Sequence, residues 1–564
     1  MTGRRCAVFL APLLAMTMVL SPRGGATTSS ATGATSPRAA TSQVNTRGLV
    51  DHLDFGGFGG GSNPQVNYNP FTLLFALTAA TNYTFEPLYL FNGYSCRPVP
   101  WLATAYHWTN SRTLVYTIRS GVEWNDGRAF GPADVVFTYN LLKRYPALDT
   151  YGVWQALARV SSSGNKVIMT FKAPSANMLQ RVSSDVLIVP QHVWGTVRDP
   201  VKYTNPGAVG TGPFKPTSFN GQELVLSRNA RYWQADKIRI GKLIFHNNQG
   251  GGQVDQLNLA QGKYDSNAMF VPNIQQVYVS RDPQHNHYWF PPGGVIALGF
   301  NLKKAPFNDV QFRRAVAYAI DRQSISTKAE YGYVTNASQT GLILPGQKDW
   351  LAPDIKNQGM FPYDARQAAT LLAKAGYKKA GSKLLGKDGK PIEFTFLVQN
   401  GWTDWIQAAQ IVQQNLHALG MTVNVQTPSP DQVEAQRSVG NFDLTFAVHG
   451  GSCSMYDNYH DMFYSKASAP IGQKALSNYI RWEDPKTDAL IDQLQRSTDI
   501  SSQKRAVYGL ERILMDKFPT IALWYGAHWF EYSTKHAIGW PNERNPYAGP
   551  TDSLLIITHL RPAQ

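Results

Sequence analysis

Past Gly293-Gly294 the chain reads Val295-Ile296-Ala297-Leu298-Gly299-Phe300, with no polar side chain. So short a run without a polar face predicts a strand covered on both sides. The period then changes. Phe312, Ala315, Val316, Ala319 and Ile320 recur at i, i+3, i+4, i+7 and i+8, the stripe of a helix laid on a core. Asn308 stands at the expected cap position, with Gln311 three residues on. Upstream, Leu114-Val115-Tyr116-Thr117-Ile118 alternates as a strand, Asp126-Gly127 marks a tight turn, and Pro132 opens a helix. Downstream, Ile392 to Val398 reads as a strand. Thr403 is placed to cap a helix carrying Ile406, Ala409, Val412, Leu416 and Leu419, which Gly420 ends before the strand-like Met421 to Thr427. Strand, helix and strand at this spacing predict a βαβ unit with parallel strands. Asp364 to Gly376 and Ser501 to Lys517 add two capped amphipathic helices. The pattern is α/β without internal repeats.

Composition sets the size and the compartment. The 564 residues are 43% hydrophobic and 16% charged, apolar mass for roughly three or four domain-sized units. The 14 Trp and 27 Tyr furnish core mass and flat ligand surfaces alike, so their abundance assigns them to neither. Arg4 and Arg5, the apolar run Ala7 to Leu20 and the small residues Gly24 and Ala26 form a secretory signal over residues 1–26. The run is shorter than the ~20 residues a bilayer span needs. Cys6 precedes it, whereas an acylated lipoprotein cysteine follows such a run, so no lipid anchor is expected. Residues 27–46 are rich in Ser, Thr, Ala and Gly, a flexible leader. The formal net charge is +15, yet Lys and Arg are scattered without a basic block, which describes a solvated basic surface and no nucleic-acid partner.

Catalytic motifs are missing. The chain has no HExxH, no GxSxG and no paired-Cys zinc spacing. His285 and His287 form an HxH in a polar loop, weak grounds for a metal. Gly381 to Lys387 matches GxxxxGK but is followed by Asp388, and Asp388-Gly389 reads as a hairpin turn where a phosphate loop would open a helix. The Gly-rich Gly56 to Asn63 reads as a loop, or a place where ligand approaches backbone. A binding protein without metal or cofactor is the expectation. A secreted hydrolase using an unmotifed carboxylate pair is the alternative from another class.

Four stretches in order, Leu114 to Tyr139, Val209 to Trp233, Gly299 to Arg322 and Asp364 to Tyr377, together resemble the large extracytoplasmic solute-binding proteins of ABC importers, family 5, whose members bind oligopeptides, dipeptides, nickel or oligosaccharides. The resemblance implies a two-lobed, three-domain periplasmic-binding-protein fold (type II) with a hinge crossed twice. It implies a discontinuous domain I (residues 47–76, 205–293 and 510–564), an inserted domain II (77–204) and a domain III (294–509). It also implies a monomer that delivers solute to ABC permease and ATPase subunits. Cys96 and Cys453 fall on opposite lobes in this scheme and are expected to be unbridged, because a tie would oppose opening and closing.

The resemblance also nominates ligand contacts. Gly451 to Asp457 (GSCSMYD) resembles the segment with which peptide-binding relatives hold a ligand's amino terminus through an Asp. Here Met455 takes that position, and Asp457 would return to the same side if the segment were a strand. Cys453, Met455, Tyr456 and Asp457 are therefore candidates. Gly401-Trp402-Thr403-Asp404-Trp405 and Trp540 to Tyr547 resemble stretches of oligosaccharide-binding members, and Trp faces suit sugar stacking. Asn82 and Tyr83, read as turn-like before a strand at Phe85, resemble a ligand-facing segment. Phe58, Trp289 and Trp524 complete the cleft candidates. Peptide is the first expected ligand and oligosaccharide the second.

Overall fold

A computed structural model describes residues 48–59, 64–72, 77–247 and 252–563. The signal segment, the leader and Gly60 to Asn63 of the Gly-rich stretch lie outside these residues. Among the described residues, three larger sheets carry the architecture. A seven-stranded sheet orders Asn286–Tyr288, Glu531–Ser533, Ser266–Asn267, Val50–Gly56, Ile240–His246, Glu223–Arg228 and Phe214–Phe219. A five-stranded sheet orders Thr422–Gln426, Glu393–Leu397, Leu444–His449, Pro292–Phe300 and Thr520–Ala527. A four-stranded antiparallel sheet is built from Ala103–Asn110, Thr113–Ile118, Lys166–Phe171 and Leu157–Ser163.

The apolar run explains its own place. Pro292–Phe300 has antiparallel partners on both sides, Leu444–His449 and Thr520–Ala527, and Val295 to Phe300 are buried. The following helix, Val310–Ala319, is capped one residue later than expected. The Asp309 carboxylate accepts the Gln311 N–H at 2.9 Å and the Tyr377 hydroxyl at 2.9 Å, so Asp309 displaces Asn308 from the role. The βαβ unit forms as expected, with Glu393–Leu397 and Thr422–Gln426 parallel and the helix Thr403–Ala418 between them. Thr403 is already helical and Trp402 occupies the cap position without a side-chain bond, which leaves the first-turn amides to Asp404 and its surroundings. Asp364 and Asp499 cap the two further helices, Ala365–Lys374 and Ile500–Lys517. At Asp126-Gly127, Trp124 donates to the Arg128 carbonyl at 2.8 Å, closing the turn. Gly381 lies between the paired strands Lys378–Ala380 and Lys383–Leu385, so the GxxxxGK match is hairpin, not a phosphate cradle.

The chain crosses between the seven-stranded and five-stranded sheets twice. Tyr288 to Pro292 carries it one way and Ala527 to Glu531 the other. The crossings run side by side, with Trp289 N–H donating to Phe530 O (2.9 Å) and His528 N–H to Pro291 O (2.8 Å). A two-stranded ribbon of this kind is the geometry of a hinge between two sheets.

Candidate functional site

A cavity of about 280 Å³ opens beside the crossings. Ala268, Met269 and Phe270, which follow the strand Ser266–Asn267, line one side with Trp529. Ile296 and Trp524 of the five-stranded sheet, the helix start Trp402 to Trp405, and Glu330 line the other. The aromatic wall is ordered by ring packing. Trp402 and Trp405 meet edge-on at 4.5 Å, Trp405 and Trp524 at 6.3 Å, and Phe270 and Trp529 at 5.4 Å. Trp524 is 1% exposed while Trp402 is 38% exposed, so the wall grades from core to open surface. Such a surface suits C–H faces and cations alike.

Two carboxylates lie within this wall. Asp404 is in the first turn of Thr403–Ala418, where backbone N–H groups favour its charge. Burial nevertheless pushes it up to about 6. Glu330 follows the π-helical turn Ile325–Ala329, which packs on that helix. It is 0% exposed and neither of its carboxylate oxygens has a hydrogen-bond partner. Burial, and then the neighbouring Asp404 charge, hold it well above the usual carboxylate range.

A second cavity of about 280 Å³ shares Ala268 with the first and is lined by Phe58, Asn82, Tyr83, Asn267 and Trp540. Asn82 and Tyr83 lie in the helix Thr78–Thr84, not in a turn before a strand. Asn82 is exposed, while Tyr83 packs on Phe214 and Phe245. Phe58 packs edge-on to Phe219 at 5.4 Å, and Trp540 donates its indole N–H to Ser533 O and Ala537 O. Of the expected contacts, Trp402 and Trp524 thus meet at one cavity and Phe58, Asn82 and Tyr83 at the next. Trp289 is buried in the crossing, 5.5 Å from Tyr94.

The GSCSMYD segment behaves otherwise. Ser454 caps a helix, Met455–Phe463, and on a helix a two-residue step turns about 200°, so Asp457 does not replace a carboxylate at Met455. Instead Asp457 pairs with Arg181, which also holds Asp461 at 3.0 Å. Burial raises the Asp457 carboxyl while Arg181 draws it back. Tyr456 has the Arg181 guanidinium 5.8 Å from its ring, and Met455 is buried. With its charge answered from within the chain, Asp457 is not free to pair with an amine; it lines a separate cavity of about 320 Å³ with Ser452, Asn458 and Asp461.

Cys453 is bridged to Cys96, with a Cα–Cα distance of 5.1 Å, which overturns the expectation of two free thiols. The reason is proximity that the sequence hides. The Asn92 side chain accepts from Tyr94 and Ser95 N–H groups and so folds the Cys96 loop. Asn177 and Gln180 bring their segment onto Ser452 and Ser454. Of the positions lining the first cavity, Glu330, Phe270 and Trp529 carried no sequence signal. Asp404 lay in the GWTDW stretch, where it was overshadowed by its tryptophans. His285 is bonded to Asp282, His287 packs on Tyr532, and among the described residues no group of three or more His, Cys, Asp or Glu side chains is placed to hold a metal.

Two lobes joined by a double crossing, with an aromatic cavity between their sheets, define a two-lobed binding-protein architecture. Residues 97–470 match the model of bacterial extracellular solute-binding proteins, family 5 Middle, and the chain belongs to this family. It is 25% identical over 431 residues to the oligopeptide-binding protein AppA of Bacillus subtilis, covering 72% of this chain and 74% of that one. It is 24% identical over 487 residues to the peptidoglycan-binding protein YepA of Agrobacterium fabrum, covering 76% and 77%. Its fold superposes with TM-score 0.83 and 26% identity on a periplasmic oligopeptide-binding protein of Thermotoga maritima carrying mannohexaose, covering 91% of this chain and 99% of that one. The family is one of binding proteins of ABC importers, not enzymes. Among the described residues no helix is long and apolar enough to cross a membrane.

Proposed function

We propose that this chain is the solute-binding component of an ABC importer, capturing an oligopeptide between its lobes and presenting the closed form to a membrane permease. The observation that carries this reading is the cavity lined from both sides of the double crossing, Ala268 to Phe270 and Trp529 facing Ile296, Trp402 to Trp405 and Trp524. A ligand there touches both lobes at once, so its binding energy favours closure. One lobe is assigned residues 47–76, 205–293 and the C-terminal segment, with 77–204 inserted beside it, and the other residues from 294 on, with export directed by residues 1–26. The C-terminal boundary expected at residue 510 is drawn instead at the crossing Ala527 to Glu531, because Thr520–Ala527 pairs in the five-stranded sheet.

An oligosaccharide is the second reading. It is favoured by the four indoles at the cavity and by the occupation of Asp457 by Arg181, which removes the expected amine partner. A thermal-shift panel of peptides and oligosaccharides separates the two, because a ligand bound to the folded state alone raises the melting temperature. Peptides are expected to give the larger shifts, and mass spectrometry is expected to recover the bound solute unchanged. Shifts with oligosaccharides alone would replace the first reading by the second. Turnover of the solute, abolished by a cavity substitution, would restore the hydrolase alternative.

A further inference from the structure

Glu330 is exceptional among the buried acids. Glu86 is bonded by Trp101 and Tyr232, Asp457 by Arg181, Glu511 by the Ala352 amide and Asp265 by His536 and the Asp54 amide. Among the described residues, Glu330 is the carboxylate with both oxygens shielded from solvent and both unbonded. Leaving such a group unanswered costs free energy that a donor from outside would recover. Among the described residues no Lys, Arg or His lines the cavity, although the chain as a whole carries a net charge of +15. The site is thus an acidic, aromatic enclave in a basic molecule, a combination that selects cations.

We propose that Glu330 and Asp404 form an ammonium-binding subsite, in which one primary ammonium of the solute lies against the two carboxylates with Trp402, Trp405, Trp524 and Trp529 around it. The ammonium's N–H donors then meet the Glu330 oxygens that the fold leaves unbonded and the Asp404 carboxylate, which already accepts backbone N–H groups at its helix start, and the indoles supply cation–π contact and exclude water. The inference rests on the cavity being the solute site, and moves the charged anchor of the ligand from Asp457 to the start of the helix Thr403–Ala418. The ammonium has two chemical sources, the amino terminus of a peptide or a free amino sugar.

Calorimetric titration of the purified chain tests it with matched probes: a lysine-free pentapeptide library, free and N-acetylated, and hexamers of glucosamine and N-acetylglucosamine. One free-amine probe is expected to bind at least about tenfold tighter than its acetylated partner, and which one identifies the source. Glu330→Gln and Asp404→Asn, near-isosteric and neutral, are each expected to bring that ratio to near one. Should Glu330→Gln fail to fold, Asp404→Asn carries the test. A ratio near one in the unmodified protein, with acetylated or neutral probes still bound, would overturn the subsite and leave the cleft assignment standing. A ratio that survives both substitutions would also overturn it. Binding of no probe would overturn the cleft assignment and the subsite with it.

Discussion

Glu511 sits fully buried on the helix Ile500–Lys517, and one oxygen accepts the Ala352 N–H at 2.8 Å. Burial pushes its carboxyl up to about 8, against about 4.3 in an unfolded chain. The folded state therefore holds a proton that the unfolded state has released between those values. The stabilisation is complete below about pH 4 and is lost as pH rises toward 8. Glu511→Gln keeps the acceptor for Ala352 without the titration. Urea unfolding at pH 5.5, 6.5 and 7.5 is expected to show the variant's stability falling less steeply, by up to about 1.4 kcal/mol per pH unit. Coincident slopes would mean that the folded protein carries this carboxylate ionised. The acids held low, such as Asp309 and Asp484, titrate below this window and do not contribute to the slope.

The loop Val209 to Phe214 shows how one element depends on another through a missing side chain. It passes the C-terminal end of the helix Thr78–Thr84, where Gly212 N–H donates to Thr84 O at 2.9 Å. A Cβ on Gly210 would stand 1.9 Å from that same carbonyl oxygen, so the loop closes on the helix only as glycine. Gly210→Ala must displace backbone, not a flexible side chain. It is expected to destabilise by about 1–3 kcal/mol, the usual cost of overpacking, and to perturb the neighbouring Asn82 and Tyr83. A melting temperature equal to that of the unsubstituted protein would show that the loop yields freely.

Across the molecule, the Cys96–Cys453 bridge joins residues 357 apart in sequence. Arg181 with Asp457 and Asp461, and Asn177 with Leu494 and Ser497, reinforce the same junction. These contacts hold the segments around residues 92–97 and 177–181 against residues 452–461 and 494–497, beside the crossing, where Tyr94 packs on Trp289 and Gly451 abuts Gly293. The double substitution Cys96→Ser/Cys453→Ser is expected to lower stability by about 2–5 kcal/mol, as for loss of other native disulfides. It is also expected to widen the difference in radius of gyration between unliganded and ligand-saturated protein, measured by small-angle scattering. An identical difference in the bridged and unbridged forms would show that the tie lies off the path of closure.

Local pattern was enough to place the strand at Val295 to Phe300, the βαβ unit of residues 393–426 and the Asp126-Gly127 turn, because periodicity and turn chemistry act over a few residues. The starts of the helices at Val310 and Thr403 were legible to within one residue, with Asp309 taking the cap from Asn308 and Trp402 occupying the cap position expected of Thr403. The four family-like stretches, read in order, pointed to the two-lobed architecture. Tertiary structure alone decided which charges meet. Arg181 answers Asp457 from 276 positions away, and Glu330 faces the GWTDW stretch with no periodicity linking them. It also decided that the GSCSMYD segment is a helix, which turned Asp457 away from the role a strand would have given it, and that two distant cysteines lie close enough to bond. Pairings of this kind are set by how sheets and helices pack after their local patterns are satisfied. A one-dimensional pattern holds no record of that packing, because burial and Coulomb energies depend on distance in space and not on separation along the chain.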